Sequence, residues 1–217
     1  MLPFSVEQFF GVFASYNKAI WPAQIVAFLM GALAFVLIFR RSKRSDEIIA
    51  GILAAMWAWT GIAYHLMSFA AINKLAYGFG ALFTLQAAAL AYVGLFQRRL
   101  MFGASNAPIA WIGVALVLYA AVIYPLLGVA AGHAPAELPT FGVTPCPITI
   151  FTFGMLLLTI RPVPRLLLIV PILWSLIGGS AAVLLRVPQD WLLLVSGIVS
   201  VALLAGRDQR LVSASSQ

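Results

Sequence analysis

The sequence predicts an all-α, polytopic membrane protein of seven transmembrane helices, and three observations carry that prediction. Hydrophobic residues make up 63% of the 217-residue chain and charged residues only 9%, too little charge to cover a soluble domain of this size. The apolar residues gather into seven long stretches separated by short polar segments. Strand-like alternation is absent, which argues against an outer-membrane barrel.

A bilayer core about 30 Å thick takes roughly 20 helical residues at about 1.5 Å each. On that measure the spans read as 20–39, 48–68, 77–96, 107–128, 147–160, 165–185 and 190–205, the fifth and seventh being short. Ahead of the first, Ser5 and Gln8 have capping-box spacing. Val6, Phe9, Phe10 and Phe13 then share one helical face. Segment 1–19 is therefore expected as an outer interfacial amphipathic helix, or as one whose apolar face packs on the bundle. The first span starts well into the chain, lacks a basic n-region and runs into Arg40, Arg41, Lys43 and Arg44, so it reads as a retained helix and not a cleaved signal.

If the helices alternate, ten of the thirteen Lys and Arg residues fall on one side: Arg40, Arg41, Lys43 and Arg44; Arg98 and Arg99; Arg161 and Arg165; Arg207 and Arg210. Lys18, Lys74 and Arg186 fall on the other. The positive-inside rule then puts the N-terminus outside and the C-terminus in the cytoplasm, in a plasma (inner) membrane. The net charge of +7 follows from these loops, and nucleic acid is not implied as a partner. The outer loop from Gly128 to Thr144 is too short for a domain, and the tail after Arg210 is expected to be disordered.

Spans one and five align: Pro22, Ile25, Phe28 and Met30 with Pro147, Ile150, Phe153 and Met155. Further on, Trp59 and Thr60 meet Trp174 and Ser175. The alignment suggests a parallel 3+1+3 repeat, against the alternative of seven unrelated helices. The halves are 20–96 and 147–206, joined by a linker helix and outer loop at 97–146, with 207–217 as a cytoplasmic tail. Polar residues would then sit at matched depths, Gln24 with Thr149, Thr60 with Ser175 and Gln86 with Ser200. Such side chains are costly in hydrocarbon unless they meet partners or a cavity. The expected central site is lined by Gln24, Thr60, Gln86, Thr149, Trp174 and Ser175. Helix count, orientation and repeat plan are similar to those of the SWEET transporters, although Pro22 and Pro147 lie at helix starts with no matching set in the inner halves. The likeness is architectural and transfers no site residue.

The N-terminal text PFSVEQFF…YN…WPAQ and the later TPCPITIFTFG resemble an uncharacterised bacterial family of multi-pass membrane proteins. That resemblance covers most of the chain and implies no activity.

Other chemistry is thinly represented. Cys146, His65 and His133 lie on one side and could offer soft-metal ligands. With no short-spaced pair, the plainer reading of Cys146 is a small apolar residue at a helix start, and no metal or cofactor is expected. The single cysteine excludes an internal disulfide. Lys18, Lys43 and Lys74 lie outside the spans, which excludes a retinal Schiff base. No Asp or Glu lies in the interior of a span, against a carboxylate-driven pump. Asp190 comes nearest, and with Trp191 it reads as an interface anchor at a helix N-terminus. No catalytic motif is present, and the chain is not read as an enzyme. The expectation is a transporter or binding protein for a small neutral polar solute. The alternatives are a non-catalytic membrane subunit or assembly partner, and an outward-facing soft-metal site. The lipid bilayer, a small-molecule solute, and a homo-oligomer or larger membrane complex are the expected partners.

Overall fold

A computed structural model describes residues 3–40, 42–105, 107–185 and 187–215. Arg41 and Arg186, both part of the charge pattern, and the tail residues Ser216 and Gln217 lie outside the described residues. The described residues form helices throughout, with one isolated antiparallel bridge between Phe102 and Thr159 and no strand.

Helix α1 (Val6–Ala19) starts where its sequence signals a start. The Gln8 N–H donates to Ser5 Oγ at 3.2 Å and the Ser5 N–H donates to Gln8 Oε1 at 2.9 Å, closing the capping box. Pro22, which has no N–H, breaks the path to α2 (Ala23–Leu37), and the two helices meet at 87°. α1 lies across one end of the bundle with Phe9, Phe10, Phe13 and Tyr16 buried beneath it.

Ser42 caps α3 (Lys43–Trp59), accepting from the Ser45 N–H at 3.1 Å. α3 widens into a π-turn over Thr60–Leu66, followed by a short 3₁₀ turn at Phe69–Ala71. α4 (Ala76–Ala91) also ends in a wider turn, Tyr92–Phe96. α5 (Pro108–Leu118) passes through a third, Tyr119–Ile123, into α6 (Tyr124–Ala130). That last widening directly precedes Pro125, whose missing N–H interrupts the α-helical ladder. α7 (Pro145–Leu157), α8 (Leu166–Leu184) and α9 (Trp191–Ser215) complete the chain, with a 3₁₀ turn at Pro188–Asp190 leading into α9.

Five helical stretches are long and apolar enough to cross a membrane: Lys43–Ala71, Ala76–Phe96, Pro108–Ala130, Leu166–Leu184 and Pro188–Arg210. The α1–α2 pair makes a sixth if the bent pair counts as one span. The apolar run expected as the fifth span is different. α7 has 13 residues, all of them buried, and reaches only about 20 Å at 1.5 Å per residue, short of a core about 30 Å thick. It stands inside the bundle against α3, α5, α8 and α9. α5, expected within a linker, packs on α7 at a glycine pair: a Cβ on Gly113 or on Gly154 would lie 2.8 Å from the other's carbonyl oxygen.

The basic segments meet at one end. Arg98 pairs with Glu47 at 2.8 Å, and the Phe102 N–H donates to Asp46 at 2.8 Å. The Ile160 N–H donates to the Met101 carbonyl at 2.8 Å, and Arg207 Nη1 donates to the Thr159 carbonyl at 2.7 Å. α9 runs on to Ser215, so residues 211–215 of the tail expected as disordered are helical. The opposite end is closed by α1, the segments around Phe69 and Leu138, and the turn before α9.

Candidate functional site

At that opposite end, between the start and the finish of the chain, lies a chamber of about 210 Å³. Phe4, Phe9 and Phe13 line it from the N-terminal segment, and Tyr64, Phe69 and Phe79 from the segment spanning α3 to α4. Cys146, Trp174, Gly178, Ser180 and Asp190 line it from α7, α8 and the turn before α9. Leu75, Ile177 and Leu184 belong to the lining and are exposed, so they mark a mouth between the start of α4 and the last turns of α8.

The rings hold one another in place. Phe13 stacks on Tyr64 at 5.2 Å and Tyr64 on Phe69 at 5.7 Å, while Phe9 meets Phe13 edge-on at 5.1 Å. Trp174 meets Phe79 and Phe83 edge-on, at 5.3 and 5.0 Å. The π-turn at Thr60–Leu66 supplies both Tyr64 and His65; widened turns are frequent at functional positions. Tyr16 ties α1 down: its hydroxyl donates to the Val143 carbonyl at 2.7 Å and accepts from Trp59 Nε1 at 2.9 Å.

Asn73 and Ser180 are polar residues of the lining, and Asp190 and Cys146 meet at its floor. Asp190 is 1% exposed. Tyr124 donates its hydroxyl to the Asp190 carboxylate, and the Cys146 thiol lies in hydrogen-bonding reach of the same carboxylate. Asp190 immediately precedes the 25-residue helix α9, whose N-terminal dipole favours negative charge. Trp174 Nε1 is buried and faces the Cys146 sulfur, and both ring nitrogens of His65 behind it are buried without a hydrogen-bond partner. The expectation that Asp190 and Trp191 form an interface anchor is corrected for Asp190. The fold buries its carboxylate in the bundle because Tyr124 and Cys146 provide donors there; Trp191 is 51% exposed.

Of the six residues expected to line a central polar site, only Trp174 reaches the chamber. Thr60, Thr149 and Ser175 are buried and donate their hydroxyls to their own helices, to the carbonyls of Met56, Pro145 and Ile172 at 2.8–2.9 Å. Gln24 Nε2 donates to the Asn17 carbonyl at 2.6 Å and so joins α2 to the end of α1. Gln86 is 1% exposed and donates to the Leu167 carbonyl at 2.9 Å. That carbonyl is available because Pro171, four residues on, has no N–H to give it. Ser200 is buried with no partner for its hydroxyl.

The pairs behind the repeat alignment occupy unlike surroundings. Pro22 is exposed at the α1–α2 bend, whereas Pro147 is buried in the first turn of α7. Trp59 is 40% exposed and hydrogen-bonded to Tyr16, whereas Trp174 is 7% exposed. Among the soft-metal candidates, His133 stacks on Phe10 at 4.1 Å, and His65 is enclosed by rings. Among the described residues, no three or more His, Cys, Asp or Glu side chains converge as a metal site would require.

Sequence reasoning missed the aromatic chamber and the Tyr124–Asp190–Cys146 contact. One available signal was Asp190 itself, an acid at the mouth of an apolar run.

Residues 6–215 match a protein family described as "Family of unknown function (DUF6064)". No curated protein and no solved structure matches the chain.

Proposed function

The chain belongs to this family of unknown function, and on the strength of its chamber we propose that it is an integral membrane protein that binds a small, largely apolar molecule. The protein sits in a bacterial plasma (inner) membrane with the N-terminus outside and the C-terminus in the cytoplasm. The clustering of the basic segments at one end supports that orientation. Seven crossings follow if α7, walled by other helices, crosses together with its flanking loops. The binding site lies near the outer end, between residues before 96 and residues after 139. This moves the expected site from mid-membrane to the outer end and changes the solute, because rings and aliphatic side chains make up most of the lining.

The observation that carries this reading is the chamber itself. Close packing ordinarily leaves few voids larger than a water molecule. A space of about 210 Å³ with its own mouth is shaped for a guest.

Ligand-dependent thermal stabilisation of purified protein in detergent tests it. Indole or butylbenzene at about 100 times its dissociation constant should stabilise the fold by about 2.7 kcal/mol. Ser180→Trp, which fills the chamber at a solvent-exposed lining position, should abolish the effect. Equal stabilisation of the variant would mean partition into the micelle and would overturn the proposal. Flux of the same compounds into proteoliposomes separates a transporter from a binding protein.

A second reading has one specific observation behind it. Gln86, Thr60, Thr149 and Ser175 all bond within the helix scaffold, as they would in a non-catalytic membrane subunit whose polar residues join helices. Stable association with other membrane proteins at stoichiometric yield, together with an empty chamber in the binding assay, would favour it.

A further inference from the structure

The floor of the chamber holds a buried acid, Asp190, that forms no ion pair among the described residues. Asp190 is 1% exposed. The two ion pairs formed among the described residues, Arg98–Glu47 and Arg207–Asp208, involve other groups. Two donors, Tyr124 and Cys146, face the carboxylate, and α9 begins at the next residue. Neither supplies a positive charge, and a buried carboxylate is ordinarily paired with one when it is ionised.

Above that carboxylate the walls are aromatic. Phe9, Phe13, Tyr64, Phe69, Phe79 and Trp174 present rings to the same space. Ring faces carry negative electrostatic potential and attract cations, most strongly where water is excluded. An apolar guest alone would fill the space and leave Asp190 uncompensated. A guest with a positive end would satisfy both features.

We propose that the molecule taken by the chamber is a monovalent organic cation, a protonated or quaternary amine on a compact apolar body, with Asp190 as its counter-ion. The inference rests on the reading of the chamber as a binding site and specifies the class of ligand. The volume of about 210 Å³ limits the guest to roughly one ring and a short substituent.

A pair of probes alike in shape and unlike in charge tests it: benzyltrimethylammonium and its neutral isostere 2,2-dimethylpropylbenzene. Binding of each to the full-length protein in detergent is measured by titration calorimetry. The cation should bind on the order of 30-fold more tightly than the isostere, the factor expected from a desolvated cation over ring faces. Asp190→Asn keeps an oxygen for Tyr124 and removes the charge. It should weaken binding of the cation on the order of 10-fold, the loss of a charge-assisted contact beyond what the rings contribute, and unchanged cation affinity would overturn Asp190 as the counter-ion. Equal or weaker binding of the cation by the wild-type protein would overturn the amine assignment and leave the chamber reading standing. Binding of neither probe would overturn both. Should Asp190→Asn fail to fold, the wild-type comparison decides alone, and Ser180→Trp confirms that any cation bound occupies the chamber.

Discussion

Replacing Gln86 by leucine removes the donor that serves the Leu167 carbonyl, and the consequence depends on Pro171. Gln86 Nε2 lies 2.9 Å from that oxygen in a site that is 1% exposed. No water can take its place, so the variant leaves a carbonyl bare. Interhelical hydrogen bonds in membranes average about 0.6 kcal/mol and reach about 1.7, while a buried unsatisfied group costs about 1–3. The loss should therefore be about 1.5 kcal/mol in the wild-type background. Pro171→Ala restores an N–H at the position from which an α-helix bonds the Leu167 carbonyl. In that background Gln86→Leu should cost about 0.5 kcal/mol or less, a coupling of about 1 kcal/mol between two residues on different helices. Unfolding equilibria in mixed detergent and SDS micelles, run as a double-mutant cycle, measure it. Additive losses within about 0.3 kcal/mol would refute the claim that Gln86 is present to serve a carbonyl that proline has freed.

The remaining predictions concern packing, attachment and threading. Gly154→Ala places a methyl group 2.8 Å from the Gly113 carbonyl and should cost about 1–3 kcal/mol, whereas Gly78→Ala, with nothing within 4 Å of the new Cβ, should be close to neutral in the same unfolding assay. Tyr16→Phe removes a donor to Val143 and an acceptor for Trp59, so it should loosen α1 by about 1–3 kcal/mol and raise amide exchange there before the rest of the bundle. On a Cys146→Ala background, a cysteine at Ser42 should label only from the cytoplasm and one at Pro135 only from outside. Labelling of both from one side would contradict the threading.

Helix positions are legible in the sequence because an uncharged apolar run of lipid length has no place on the surface of a soluble domain. Ser5 and Gln8 announce the start of α1, and the basic loops announce which ends of the helices belong together. The central helix is harder to see. Hydropathy cannot distinguish an apolar helix facing lipid from one facing protein, so α7 reads as a short span although all its residues are buried. Gln86 stands out in the sequence as an amide with much to satisfy, but its partner is a backbone atom made available by a proline 85 positions away in the chain. The chamber is illegible for a related reason. Phe9, Tyr64, Phe79 and Trp174 are ordinary membrane residues one at a time, and only the 87° bend at Pro22 and the turn before Trp191 bring them to one place. Asp190 reads as exposed in the sequence because its two donors lie 44 and 66 residues earlier.

The enclosure of α7 also constrains how the chain is assembled during synthesis. A helix of 13 residues released sideways from the insertion machinery would leave its ends and its Thr149 and Thr152 hydroxyls among lipid tails. Its neighbours α8 and α9 are made later, and α9 supplies the Arg207 side chain that holds the carbonyls of Thr159 and Arg161 just beyond its C-terminal end. α7 therefore acquires its place only when the last two helices arrive. A chain truncated before residue 207 should remain a substrate for membrane quality control even though most of its hydrophobic segments have already been inserted.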